Sequence, residues 1–553
     1  MYRTTTRGLK YKSASREKKQ RQGDGLSEKQ RREAEEAQKA RSKKILYTVI
    51  GIVCAVLVIA LLVWNSNFFQ RRTVAATVGD KQYTVGDVAF YYNNAKQTIR
   101  NYANYGLVTY NASLADDQQT IDDTTAQNLS LYVGLTAEAG QTYAQFFQDR
   151  ALEALQNEAL LCAAAAEDGY TLSDAGKQSV EESVTSYKQS ATDYGYTLAA
   201  YLRAVYGPYM TESTFREHLT NSTLASEYAQ HYQESLTYSD EELTAYYQEH
   251  ADTMDTFDFR AFYISGAPAA KTDADGNTVE ATDAEKAAAM GLAKTQADAM
   301  LRRLQDGEAF NAAAKDYAAE DAKANYDDPD YNRQTRLGSA VASYDYAEWL
   351  TDSARKDGDV TVVESSSGYY VLQFHGRWLD DTTHYSADIR HILVMAETGE
   401  PVQNEDGTTT TPEPTEEQYA AAKAKIESIQ AEFEAGDRTA DSFAKLAETY
   451  SEDPGSNTNG GFYQVTQSTS FFADFKNWCL DESRQSGDLG VIQNTQSSQW
   501  GYHLIYFQDW GPLVWKNTAQ SALSSADTNA WIESRMPSYP TAAVEKGMAK
   551  VIG

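Results

Sequence analysis

The C-terminal half of the chain carries one pattern twice, offset by about 130 residues, which limits that half to two copies of one small fold. DFRAFYISG at 258–266 corresponds to DIRHILVMA at 388–396, and FNAAAKDYA at 310–318 to FAKLAETYS at 443–451. GDV at 358–360 corresponds to GDL at 487–489, and GYYVLQF at 368–374 to GYHLIYF at 501–507. Four matched anchors in one order mark a duplication. Each copy reads as an apolar strand, a polar loop, two helices, a strand, a helix and a closing strand. That is a sheet covered by helices, a small α+β domain. The loops at 266–281 and 397–415 are rich in turn-forming and acidic residues.

At 553 residues the chain exceeds what one core can organise, so further domains are expected. Residues 45–64, ILYTVIGIVCAVLVIALLVW, hold no charge and follow RSKK. Twenty residues at about 1.5 Å each match a bilayer core, so this run predicts an uncleaved transmembrane signal anchor. The positive-inside rule then puts a basic arm, 1–44, in the cytoplasm. The bulk of the chain lies outside, a single-pass protein of the cell membrane. The arm carries 15 Lys and Arg against 6 acidic residues, leaving 34 basic against 73 acidic in the remainder. That balance excludes a nucleic-acid partner for the large part, which has no excess of cations to exchange for phosphate counterions. Cys54, Cys162 and Cys479 show neither metal-ligand nor disulfide spacing. HExxH, P-loop and G-x-S-x-G patterns are absent, and His218, His231 and His250 lack ligand spacing. No cofactor and no metal are expected.

Residues 74–250 read as mainly helical. Thr84 stands three residues before Asp87, a capping-box pattern. Phe147, Ala151, Leu155, Ala159 and Cys162 recur at helical spacing, and Ser173 is placed to cap the next helix. The start V-G-D-x-x-Y-T-x-x-D at 78–87, followed by long helices, resembles the chaperone region of the SurA and PrsA family of extracytoplasmic foldases. A helical segment at 513–553 is expected to fold back on these helices.

In the second copy, RHILV at 390–394, SEDPGS at 451–456, GGF at 460–462, SFFADF at 470–475 and GYHLI at 501–505 together resemble a parvulin domain over 385–509. The resemblance implies a catalytic floor of His391, Asp453 and His503. It also implies a proline pocket lined by Phe471 and Phe475, with Gln464 and Ser498 as further substrate-binding candidates. Phe471 departs from the Met usual in the family, and GGFYQV shortens its GGDLGWF run. In the first copy, 256–378, Ala261 and Tyr370 stand where the histidines should be, so that copy reads as degenerate. The loop after the first strand carries Glu397, Glu400, Glu405, Asp406 and Glu413 without Lys or Arg, which argues against phosphorylated substrates.

The expected architecture is therefore an α+β multidomain chain. It comprises an N-terminal transmembrane helix, a mainly helical chaperone domain and two tandem parvulin-like domains, the first degenerate. The function implied is a membrane-anchored extracytoplasmic peptidyl-prolyl cis/trans isomerase and chaperone, acting on unfolded or nascent secreted polypeptides with X-Pro bonds. The alternative is a non-catalytic holdase using both parvulin-like copies as docking surfaces.

Overall fold

The computed structural model describes residues 28–65, 71–273, 278–403, 409–496 and 499–552. The 1–27 part of the basic arm, Glu405 and Asp406 of the acidic loop, and Ser498 lie outside the described residues. The chain divides into two units, Met1–Ser235 with Thr528–Gly553, and Leu236–Asp527.

The expected transmembrane helix is corrected by the structure. Glu28–Asn65 form one helix of 38 residues, yet among the described residues no helix is long and apolar enough to cross a membrane. Residues 28–44 of that helix are largely polar. Membrane anchoring through that helix is not shown among the described residues.

In the first unit, Val74–Val78 is the central strand of a three-stranded sheet, flanked by Lys81–Thr84 and by Thr541–Ala543 from the far end of the chain. The helix Val85–Asn104 opens where the Asp87 carboxylate accepts the Thr84 backbone N–H at 2.7 Å. The helix Tyr143–Glu167 buries Phe147, Ala151 and Leu155 in the core shared with Val88 and Tyr92. Ser173 caps the helix Asp174–Asp193 by accepting the Gly176 N–H at 2.9 Å. His218 is buried between two carboxylates, 3.1 Å from Asp87 and 3.3 Å from Glu158. Burial alone would lower its pKa, but bonds to both carboxylates outweigh it and raise it to about 9.

The second unit contains the duplication. In the second copy the strands are β1 (Ala387–Met395), β2 (Phe462–Val465), β3 (Leu489–Asn494) and β4 (Gly501–Trp510). They form an antiparallel sheet in the order β2-β1-β4-β3. The first copy repeats this order with Arg333–Leu337, Thr256–Ser265, Gly368–Trp378 and Val360–Ser365. Register is shared as well. Leu393 faces His503 in the second copy, and Tyr263 faces Tyr370 in the first. Both closing strands shift register just after the matched Phe374 and Phe507, a bulge that bends each strand at its end.

Strand alternation separates the two faces of the β1–β4 sheet. Ile392, Val394, Leu504 and Tyr506 pack under the helices α1 (Glu416–Ala435) and α2 (Ala440–Tyr450). Ile389 and Ile505 lie on the other face, against Phe475 and Cys479 of the short helix α3 (Ala473–Cys479). The two histidines belong to this second face.

Candidate active site

His391 lies on β1 and His503 on β4, offset by two register positions, so their side chains share the α3 face. Their Nδ1 atoms are 3.1 Å apart and their rings stack with centroids at 5.3 Å and planes 18° from parallel. Both are buried, at 2% and 3% exposure. The Nε2 of His391 lies 3.0 Å from Asp453 Oδ2 and 3.0 Å from Ser456 Oγ. Asp453 Oδ2 also accepts the hydroxyls of Ser456 at 2.6 Å and Tyr463 at 3.2 Å, while Oδ1 accepts the Gly455 N–H at 3.2 Å. On the far side, His503 Nε2 is 3.4 Å from the Asn494 side-chain nitrogen.

The electrostatics follow from these contacts. The bond to His391, helped by those from Ser456 and Gly455, holds the Asp453 carboxyl well below the usual carboxylate range despite burial. Burial, and then the neighbouring His391, lower the pKa of His503 to about 3, against an opposing pull from Asp453. His503 is therefore neutral at pH 7, and Asp453 is charged.

Local sequence explains how the floor is assembled. Asp453, Gly455 and Ser456 follow α2 as one turn, which carries the carboxylate back under β1. Gly461 accepts the His391 backbone N–H at 2.8 Å and adopts φ +74°. A Cβ there would stand 2.2 Å from the His391 carbonyl oxygen, so the close approach of β2 to β1 requires glycine. The GGF motif is thus part of how His391 is held.

Aromatic rings surround the imidazoles. Phe475 is fully buried and meets both edge-on, at 5.6 Å from His391 and 5.3 Å from His503. Phe471 lies 4.8 Å from Phe475 and 5.1 Å from Tyr463, and Phe472 lies 5.4 Å from His503. Phe471, Phe472 and Ile492 are half-buried and form the apolar surface beside the pair. Phe475 is the base of this surface rather than an open wall.

Five expected residues thus converge: His391, Asp453, His503, Phe471 and Phe475. Gln464 does not. It is exposed and pairs with Asp388, so it occupies the sheet face opposite His391. Ser498 lies outside the described residues. Sequence reasoning passed over Ser456, Tyr463, Phe472 and Asn494. Alternation along β2 was a usable signal for Tyr463, since Tyr463 and Val465 share a face and Gln464 takes the other. Asn494 had no such signal, because only the β3–β4 pairing places it beside His503.

With the geometry in place, comparisons with known proteins identify the fold around it. Residues 379–510 match the PPIC-type PPIASE domain family. The chain is similar to chaperone SurA of Alkalilimnicola ehrlichii, 24% identical over 411 residues, 72% of this chain and 81% of the relative. Among solved structures it is similar to PrsA from Bacillus subtilis, at 15% identity, covering 47% of this chain and 78% of the other with a TM-score of 0.14. Foldase protein PrsA from Streptococcus pneumoniae matches at 16% identity, 44% and 78% coverage and a TM-score of 0.19. Residues 379–510 are accordingly a parvulin-type peptidyl-prolyl cis/trans isomerase domain, carried by a chain similar to chaperone SurA.

Proposed function

We propose that the chain acts outside the cytoplasm on unfolded or newly secreted polypeptides, holding them and accelerating rotation about their X-Pro bonds. The centre of this activity is the site of His391, Asp453 and His503 beside Phe471 and Phe475. The observation that carries the reading is the meeting of two buried imidazoles and one carboxylate beneath a half-open aromatic surface. The likeness to a chaperone and to extracytoplasmic foldases supports the client class and its location.

The chemistry asked of such a site is modest. Amide resonance imposes a barrier of about 18–20 kcal/mol, and no substrate bond is made or broken in crossing it. A site lowers the barrier by holding the pyrrolidine ring against an apolar surface and binding the twisted amide better than either planar form. Phe471 and Phe472 supply the surface. The paired imidazoles, anchored at one end by Asp453 and with His503 uncharged, offer fixed dipoles beside the substrate carbonyl.

The test is a prolyl cis/trans exchange assay on the full chain, comparing wild type with His391→Ala plus His503→Ala. A fall in kcat/KM of about hundredfold or more is expected, with the fold checked by far-UV circular dichroism. Equal and negligible rates for both proteins, with client binding retained, would replace the enzyme by the holdase reading.

A further inference from the structure

A cavity of about 810 Å³ opens where β1 ends and α1 begins, beside the histidine pair but outside it. Met395, Ala421 and Trp500 give it apolar lining, and Glu397, Glu417 and Glu452 give it charge. Lys425 is the one cation among its described lining residues, and it is already bound to Glu452 at 2.6 Å. Glu397 and Glu417 are exposed and form no ion pair among the described residues. The first copy differs at this place. Its helix starts from the matching cap, Thr282 for Thr415, and there Lys271 pairs with Glu285 and Lys286 with Glu280. The second copy has no Lys or Arg from 396 to 422, so its acids are left uncompensated.

The cavity opens toward the site. Met395 lines it, and strand alternation puts Met395 on the same side of β1 as His391. Glu452 lines it too, with Oε2 accepting the Met395 backbone N–H at 2.7 Å, and the next residue, Asp453, is the one that holds His391. Leu393 faces His503 and precedes Met395 by two residues. At about 3.3 Å per residue, Met395 is therefore roughly 7 Å along β1 from the level of His503 and roughly 13 Å from His391. An extended client covers that span in two to four residues.

We propose that this groove takes a Lys or Arg side chain of the client, two to four residues from the proline, and so makes the domain select basic X-Pro segments. The occupant follows from the lining. The aliphatic stem of such a residue packs on Met395 and Ala421, and its cation meets Glu397 and Glu417 beside the Trp500 ring. An acidic client residue would face the same two carboxylates and be repelled. The proposal rests on the isomerase reading for its catalytic readout.

The test uses the full chain and proline peptides that carry Lys, Ala or Glu at a single position, two to four residues to either side of the proline. Exchange NMR gives kcat/KM, and fluorescence anisotropy gives Kd for the same peptides. On one side of the proline, Lys is expected to exceed Glu in kcat/KM by about tenfold, the scale of two exposed ion pairs gained against two repulsions. Glu397→Lys plus Glu417→Lys should bring that ratio to one or below and leave the Ala peptide within about twofold of wild type. Because the whole chain is strongly acidic, Glu434→Lys plus Asp437→Lys is the control. These exposed residues lie at the far end of α1, about 25 Å from Glu417, beyond the screening length of roughly 8 Å, and should leave the ratio unchanged. Glu397→Gln plus Glu417→Gln should remove about half of the preference in free energy, and it serves if charge reversal unfolds the domain.

The proposal is overturned if no position shows a preference for Lys, or if the control variant abolishes the preference as fully as the groove variant does. Self-association of wild type that the groove variant abolishes, without any peptide preference, would assign the groove to a second copy and overturn it as well. Should wild type bind Lys peptides more tightly in the expected way but exchange none of them, the isomerase reading fails while the groove assignment stands.

Discussion

The two parvulin-like copies share strand order, register and a closing-strand bulge, yet only one has a polar floor. In the second copy His391 and His503 are buried on Asp453, which is bonded in turn to Ser456 and Tyr463. In the first copy Ala261 takes the place of His391, and Tyr370 replaces His503, packing against Tyr263 and Tyr346 at 4.8 and 5.0 Å. Counting on from the matched Phe310 and Phe443, Glu320 and Lys323 occupy the positions of Asp453 and Ser456. They form an exposed ion pair at 2.7 Å instead of a buried bond. The fold therefore does not need the histidines. Apolar burial and sheet pairing suffice for it, and the polar floor of the second copy is an added cost that stability alone does not explain.

The sharpest way to break this comparison lies at the entry to the second strand. Asn332 in the first copy and Gly461 in the second occupy the same register position, at φ 76° and 74°. Asn tolerates that conformation, but in the second copy any Cβ would strike the His391 carbonyl. Gly461→Asn is expected to destabilise by about 3 kcal/mol or more in urea denaturation. Asn332→Gly should stay within about 1 kcal/mol.

Acid comes next. His503 has a folded pKa of about 3, below its unfolded value near 6.5, so it binds protons more readily when unfolded. Its contribution is complete above pH 6.5 and is lost as pH falls from there toward 3. Asp453, also lowered, loses its contribution as pH falls below the ordinary carboxylate range. At pH 4 the second copy should have lost roughly 3 kcal/mol that the first copy keeps. Hydrogen exchange measured by mass spectrometry should show protection falling in 387–507 before 256–378. The reverse order would contradict the assignment of the buried network.

Smaller changes sharpen the same contrast. Tyr463→Phe removes one of the hydroxyls on Asp453 and should cost about 1 kcal/mol by thermal denaturation, with the fold intact. Gln464→Ala, on the opposite face, should leave exchange activity within about twofold of wild type. A larger loss would mean that the substrate reaches around the edge of β2.

Much of this was legible without coordinates, and the reasons are local. Matched apolar anchors at fixed spacing announced the duplication because strand and helix faces must bury at their own periods. His391 and His503 were singled out through the resemblance of RHILV and GYHLI to a parvulin domain. Gln464 misled because its neighbours matched a motif while its own face was set by β2 pairing with β1. The apolar run at 45–64 was read as a membrane span, whereas among the described residues no helix is long and apolar enough to cross a membrane.

By itself the chain determined its periodicities, its glycines and the residue types available for a site. These are properties of single segments, because propensity and burial act over a few neighbouring residues. Only the tertiary structure decided which atoms meet: that Asn494 reaches His503 rather than solvent, that Ser456 and Tyr463 converge on one oxygen of Asp453, and that the equivalent pair in the first copy stays in water. The physical reason is that a hydrogen bond depends on tenths of an ångström and on direction. Strand register fixes both, and register is a property of two segments at once.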